Sequence, residues 1–308
     1  EVSRAALVGG ARTLYEANRE VYGLLRYGVK VKRAVGEQFE TVWPIDWSNP
    51  EANHFVVAEE VTVAGEHNKR PDVVLYVNGL ALAVIEFKRS RVSLTEGIRQ
   101  NIGNQAAHFI RPFFSTVQLM FAGNDVQGLR YGVIGTSEKY WLEWKEPEAS
   151  LVGVDVAEPL DRAILQMCSK SRLLELIHDF MVFDKGTKKT ARHNQYFGVK
   201  AAQARIAKRE GDPGVPGDRH FRGEDEERHR REDERDEHFV HVDAHEVQPH
   251  HAIKNRHHQK ADADLNEAAP DAGAGHQHVP EREVLRFRRR VRSRLRLVFA
   301  EGHQRHHR

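Results

Sequence analysis

The chain of 308 residues predicts an α/β fold: a mixed sheet flanked by helices, then a helical connector, then a disordered tail. Three observations predict it. An apolar, β-branched run breaks at Asn78-Gly79 and resumes, which is the strongest short signal for a β-hairpin. Further on, ILQMCSKSRLLELIHDFMVF places Ile164, Met167, Leu173, Leu174, Ile177 and Phe180 at helical spacings. From Asp212 the apolar periodicity stops. That last segment has no Trp, Tyr, Thr, Cys or Met and holds 14 of the 19 histidines. Such a composition cannot bury enough apolar surface to offset the entropy of ordering.

These changes of character divide the chain into residues 1–147, which mix strands and helices, 148–211, which read as helical from Pro159 to Glu210, and 212–308. Three readings of the last part stand: a disordered or charged-helix tail, a His-rich metal binder, and a segment out of frame. The histidines have no repeated ligand spacing, which weighs against metal. The abrupt change after AKREG favours an out-of-frame or rearranged segment. Val284 to Phe299, VLRFRRRVRSRLRLVF, alternates apolar and basic residues and is read as an accidental phosphate binder. A net charge of +2 gives no global case for nucleic acid, so that case rests on a local site. One cysteine, Cys168, rules out an intramolecular disulfide framework and suits a reducing cytoplasm. No apolar run approaches the ~20 residues that span a bilayer, and no signal peptide is visible. There is no initiator Met, as expected of a chain that begins inside a longer polypeptide.

Chemistry concentrates between Arg70 and Ser90, RPDVVLYVNGLALAVIEFKRS. Val73 to Val77 and Leu82 to Phe87 are the strands of the predicted hairpin. Asp72 stands at the start of the first strand, and Glu86 and Lys88 near the end of the second, so all three meet at its open end. Glu86 and Lys88 share a face, and Phe87 between them points into the core. Two carboxylates and the Phe87 carbonyl offer oxygen ligands to Mg²⁺, which polarises a phosphoryl group and acidifies bound water. Lys88 can then orient the attacking hydroxide and stabilise developing charge. The plain alternative is a solvated salt bridge at a sheet edge. An apolar hairpin charged only at its open end argues for a placed site instead.

A P-D…E-x-K pattern on a hairpin resembles the PD-(D/E)XK nuclease superfamily. The Asn-Gly version here, with YEANREVYGLLRYGVKV upstream and GIRQNIGNQAAHFIRPFFSTVQLMFAGNDVQGLRYGVIGT downstream, is similar to the motor and nuclease (R) subunit of type I restriction enzymes. LLELIHDFMVFDKGTKKTARHNQYFGVKAAQ resembles it too, so the likeness covers residues 1 to about 211. It implies a restriction-endonuclease-like core that cleaves double-stranded DNA with Mg²⁺. It implies a supporting Gln, which Gln100 matches on a helix that Thr95 is expected to cap. The Tyr of that family motif is replaced by Asn104. It also implies partner modification and specificity subunits, and ATP-driven translocation before cleavage. RHNQYF matches the region where a Gln reads adenine, and Gln195 occupies that position; taken alone, Gln195 reads as an ordinary helix-surface residue.

Beyond Glu210 no G-x-x-x-x-G-K-[S/T] follows. Gly211 to Gly217 lacks the Lys and Ser/Thr of such a loop, and its prolines remove donors. The expectation is a nuclease site whose motor is absent from this chain. The rival reading is a non-catalytic fragment that binds DNA or partner subunits.

Overall fold

The computed structural model describes residues 12–34, 37–146, 158–210 and 281–300. The expected boundary at 147/148 and most of 212–308 lie outside the described residues. The backbone groups into two compact units, residues 1–200 with 279–308, and residues 201–278. The second is described only over 201–210, as helix.

Helix α1 (Leu14–Tyr27) opens on a capping box, in which Thr13 Oγ1 accepts from Glu16 N and the Glu16 carboxylate accepts from Thr13 N. Strands β1 (Val29–Val31) and β2 (Glu40–Val42) form a small antiparallel pair. The main sheet follows, with six strands in chain order: β3 (Phe55–Glu59), β4 (Val73–Val77), β5 (Leu80–Phe87), β6 (Leu119–Asn124), β7 (Gly128–Gly132) and β8 (Leu142–Glu143). The β5–β6 pairing is parallel and the others antiparallel, so the sheet is mixed as expected. A parallel neighbour needs a crossover, and helix α2 (Leu94–Asn104) supplies it.

The β4–β5 turn has positive φ at both central residues, 49° at Asn78 and 82° at Gly79. That is the tight-hairpin geometry for which Asn-Gly is selected. Asn78 also anchors the turn: its amide donates to Pro44 O at 2.9 Å and Asn53 Oδ1 at 2.8 Å, and its oxygen accepts from His54 N.

Alternation along the strands builds two cores. Val73, Leu75, Ile85, Leu119 and Phe121 face α1 and the connector helices α3 (Pro159–Met167) and α4 (Lys170–Asp179). Val84, Met120 and Ala122 face Leu94 and Ile98 of α2, with Ile110 and Phe114 behind them. The period of two that turns Val84 toward α2 turns Glu86 and Lys88 the same way.

The connector departs from its all-helical reading. Strands β9 (Met181–Asp184) and β10 (Thr187–Thr190) form a hairpin, turned by Lys185 and Gly186 at φ 45° and 80°. The apolar run through Met181, Val182 and Phe183 continues the pattern of α4, and the Lys185-Gly186 turn after it folds β10 back on β9. Lys188 of β10 is buried and donates to Asn18 Oδ1 at 2.8 Å and to Gln118 Oε1. These bonds tie the hairpin to α1 and to the residue before β6. Helix α5 (His193–Glu210) follows.

Within the expected tail one helix is described, α6 (Glu281–Ala300). Val291, Leu295 and Val298 are buried, the first two in the core shared with α3. Arg290 bonds Asp125, Arg292 bonds both oxygens of Glu59, and Arg294 bonds Asp161 at 3.3 Å. Among the apolar residues first read as alternating, those at 284, 287, 291, 295 and 298 make one helical stripe. Those steps of three and four are helical spacing. Among the described residues no helix is long and apolar enough to cross a membrane.

Candidate nuclease site

The hairpin register sets the site. Val73 pairs with Ile85, so Asp72 falls opposite Glu86 at the open end. Asp72 Oδ2 accepts from Phe87 N at 2.8 Å, which fixes the carboxylate against the second strand. From α2, Gln100 Nε2 donates to Glu86 Oε2 at 2.8 Å, and Gln100 Oε1 accepts from Lys88 Nζ. The structure therefore brings Asp72, Glu86, Lys88 and Gln100 into one connected group. The Phe87 ring packs on the opposite core, leaving its main chain between the two charged side chains.

Gln100 reaches the strand because α2 lies close upon it. Gly97, one turn earlier, is buried at the contact. A Cβ there would stand 3.2 Å from Ala122 Cβ and 3.4 Å from both Glu86 O and Lys88 Cγ. The helix cap is Ser93, whose Oγ accepts from Thr95 N, so the expected cap at Thr95 is displaced by two residues. Asn104, in the position of the family's Tyr, is buried one turn after Gln100.

Electrostatically, Glu86 is the unusual member. It is 0% exposed, and its Oε1 is buried with no hydrogen-bond partner among the described residues. Burial, then the adjacent Asp72 charge, push its carboxyl up to about 8, while Lys88 opposes them. A buried carboxylate oxygen with no donor is a place where a cation lowers the energy. Among the described residues no group of three or more His, Cys, Asp or Glu is gathered for a metal. An ion here would rest on Asp72, Glu86, the Phe87 carbonyl and water. So sparse an all-oxygen set suits Mg²⁺, which retains waters, and does not suit a closed zinc site.

Among the described residues no hydrogen bond joins Gln195 to this group. It is exposed in the first turn of α5, and its Oε1 accepts from Arg192 N at 2.9 Å, as half of a capping box. Its neighbour Tyr196 is buried, bonded to Glu175 and 4.5 Å from the Arg172 guanidinium.

Sequence reasoning missed several residues that shape the site. Gly97 is one, and a glycine inside a helical pattern is a signal of close approach. Asn101 is another: it is buried and donates to Phe121 O at 2.9 Å, holding α2 on β6. Asn124 and Gln127, at the β6–β7 turn, bond the segment that follows Lys88. Nothing local in the sequence pairs residues 30 positions apart.

Residues 1–139 match the family model of the type I restriction enzyme R protein N terminus. The protein named as the MjaIXP type I restriction enzyme endonuclease subunit of Methanocaldococcus jannaschii is 25% identical over 209 residues. That alignment covers 61% of this chain and 20% of the relative. The HindI type I restriction enzyme endonuclease subunit of Haemophilus influenzae is 27% identical over 218 residues, covering 65% of this chain and 20% of the relative. The chain thus spans about one fifth of the length of these relatives. The resemblance read in the sequence is borne out: residues 1–139 are similar to the N terminus of type I restriction enzyme R proteins.

Proposed function

We propose that residues 1–147 form a Mg²⁺-dependent endonuclease domain of PD-(D/E)XK type that hydrolyses DNA phosphodiester bonds. One observation carries the reading: two carboxylates, a lysine and a glutamine converge at the open end of one hairpin, and the buried Glu86 Oε1 has no donor among the described residues. The relatives, named as restriction endonuclease subunits, support the reaction class.

Asp72, Glu86 and the Phe87 carbonyl would hold the ion, which supplies Lewis-acid activation of the phosphoryl group and an acidified water. The chain does the rest. The Phe87 amide keeps Asp72 aimed into the site. Gln100 holds Glu86 with its NH₂ and Lys88 with its carbonyl, so both side chains are oriented before substrate arrives. Lys88, so aimed, would orient the nucleophile and balance charge on the oxygens of the five-coordinate transition state. In this reading Gln195 contacts the adenine of ATP, and cleavage in the whole protein follows ATP-driven translocation with modification and specificity subunits. Incubation with supercoiled plasmid tests the core reading. Nicked circles should accumulate with Mg²⁺ and not with EDTA, and equal accumulation in both would overturn it.

A further inference from the structure

The loop from Arg89 to Ser93 leaves the proposed catalytic strand and enters α2, so its shape sets where Lys88 and Gln100 stand. It is held from outside. Asn124, buried at the end of β6, donates from Nδ2 to Val92 O at 2.9 Å and to Gln127 Oε1 at 3.0 Å. Its own Oδ1 accepts from Gln127 N at 2.6 Å, closing the turn. Gln127 Oε1 then accepts from Leu94 N at 2.7 Å, the first amide of α2. The same strand end contributes Gly123 O, which accepts from Lys88 N at 2.8 Å. One turn thus holds both ends of the 89–93 loop.

We propose that Gln127, seated by Asn124, is a positioning residue for the nuclease site: its carbonyl oxygen fixes the entry of α2 and so sets Lys88 and Gln100 on Glu86. An exposed turn residue of this hairpin thus accepts one hydrogen bond from a helix start 33 residues away and a second from Asn124, which seats it there. The inference rests on the reading of Lys88 and Gln100 as site residues, but its structural half is testable without cleavage.

Both bonds use Gln127 as an acceptor, which defines the test. Gln127→Glu keeps an acceptor and adds negative charge at a helix start, where it is favoured. Gln127→Met keeps the length and removes the acceptor. The side chain is exposed, so neither change empties the core. Trypsin is the probe of the loop, since Arg89 and Arg91 lie exposed within it. In the full chain, Gln127→Met should be cut at these arginines about tenfold faster than wild type, with global stability in urea lowered by no more than the matching ~1.4 kcal/mol. Gln127→Glu should be cut at the wild-type rate. In plasmid nicking, Gln127→Met should lose about tenfold in kcat with KM for DNA unchanged, and Gln127→Glu should recover it. Equal trypsin rates in all three chains, or a Gln127→Glu loop as open as that of Gln127→Met, would overturn the clamp. A wild-type chain that fails to nick, with the trypsin pattern as expected, would overturn the nuclease reading and leave the clamp standing.

Discussion

Glu86 ties the chemistry of the site to the stability of the fold. Its carboxyl, ordinarily near 4.5, is raised to about 8 by burial and by the Asp72 charge. A raised acid pKa means the folded state holds a proton that the unfolded state has released. Its contribution to stability is therefore complete below about 4.5 and is lost as pH rises through about 8. The slope reaches at most roughly 1.4 kcal/mol per pH unit. Glu86→Gln has no such dependence, so the urea-derived stability of Glu86→Gln relative to wild type should rise steadily from pH 5 to 8. A constant difference across that range would contradict the burial argument. Gln100→Ala should leave the fold in place and slow nicking about tenfold, because Lys88 and Glu86 lose the amide between them.

At the scale of elements, the fold depends on a few polar side chains that join segments far apart in sequence. Asn18 of α1 donates to the carbonyls of Phe114, Ser115 and Val117 and accepts from Lys188 of β10. Burial holds the Lys188 amine well below its usual range, and among the described residues no carboxylate is bonded to it. Asn18→Ala would leave that amine with Gln118 alone and take a donor from three carbonyls, and should lower stability by about 2–4 kcal/mol in denaturant titration. The β4–β5 hairpin and its charged end were legible in the sequence because everything that defines them is local: the Asn78-Gly79 turn, the alternation, and the two-residue step from Glu86 to Lys88. Gln100 was legible through the family resemblance alone. Lys188, Asn124 and Gln127 were not legible, since a polar contact across 30 or 170 residues leaves no period in the chain. The β9–β10 hairpin was hidden because Met181 to Phe183 prolongs the apolar run of α4, and only Lys185-Gly186 marks the turn.

At the scale of the molecule, the connector and α6 share the core that backs the sheet. Leu160, Ile164, Leu173 and Ile177 pack on the face opposite the site, and Leu295 of α6 joins them. The site face is thus free of them, and the backing core keeps the sheet rigid behind it. Leu295→Ala should cost about 2–5 kcal/mol, as a buried leucine does, and calorimetry should show a lower Tm. An unchanged Tm would mean that α6 does not support the core. The nuclease chemistry itself is best tested by a direct comparison. Supercoiled plasmid is incubated with Mg²⁺ and wild-type chain, Asp72→Ala or Lys88→Ala, after each is shown to keep its circular dichroism spectrum. The arrangement predicts nicking by wild type and a loss of at least about a hundredfold in both variants. Equal nicking by all three chains would contradict it.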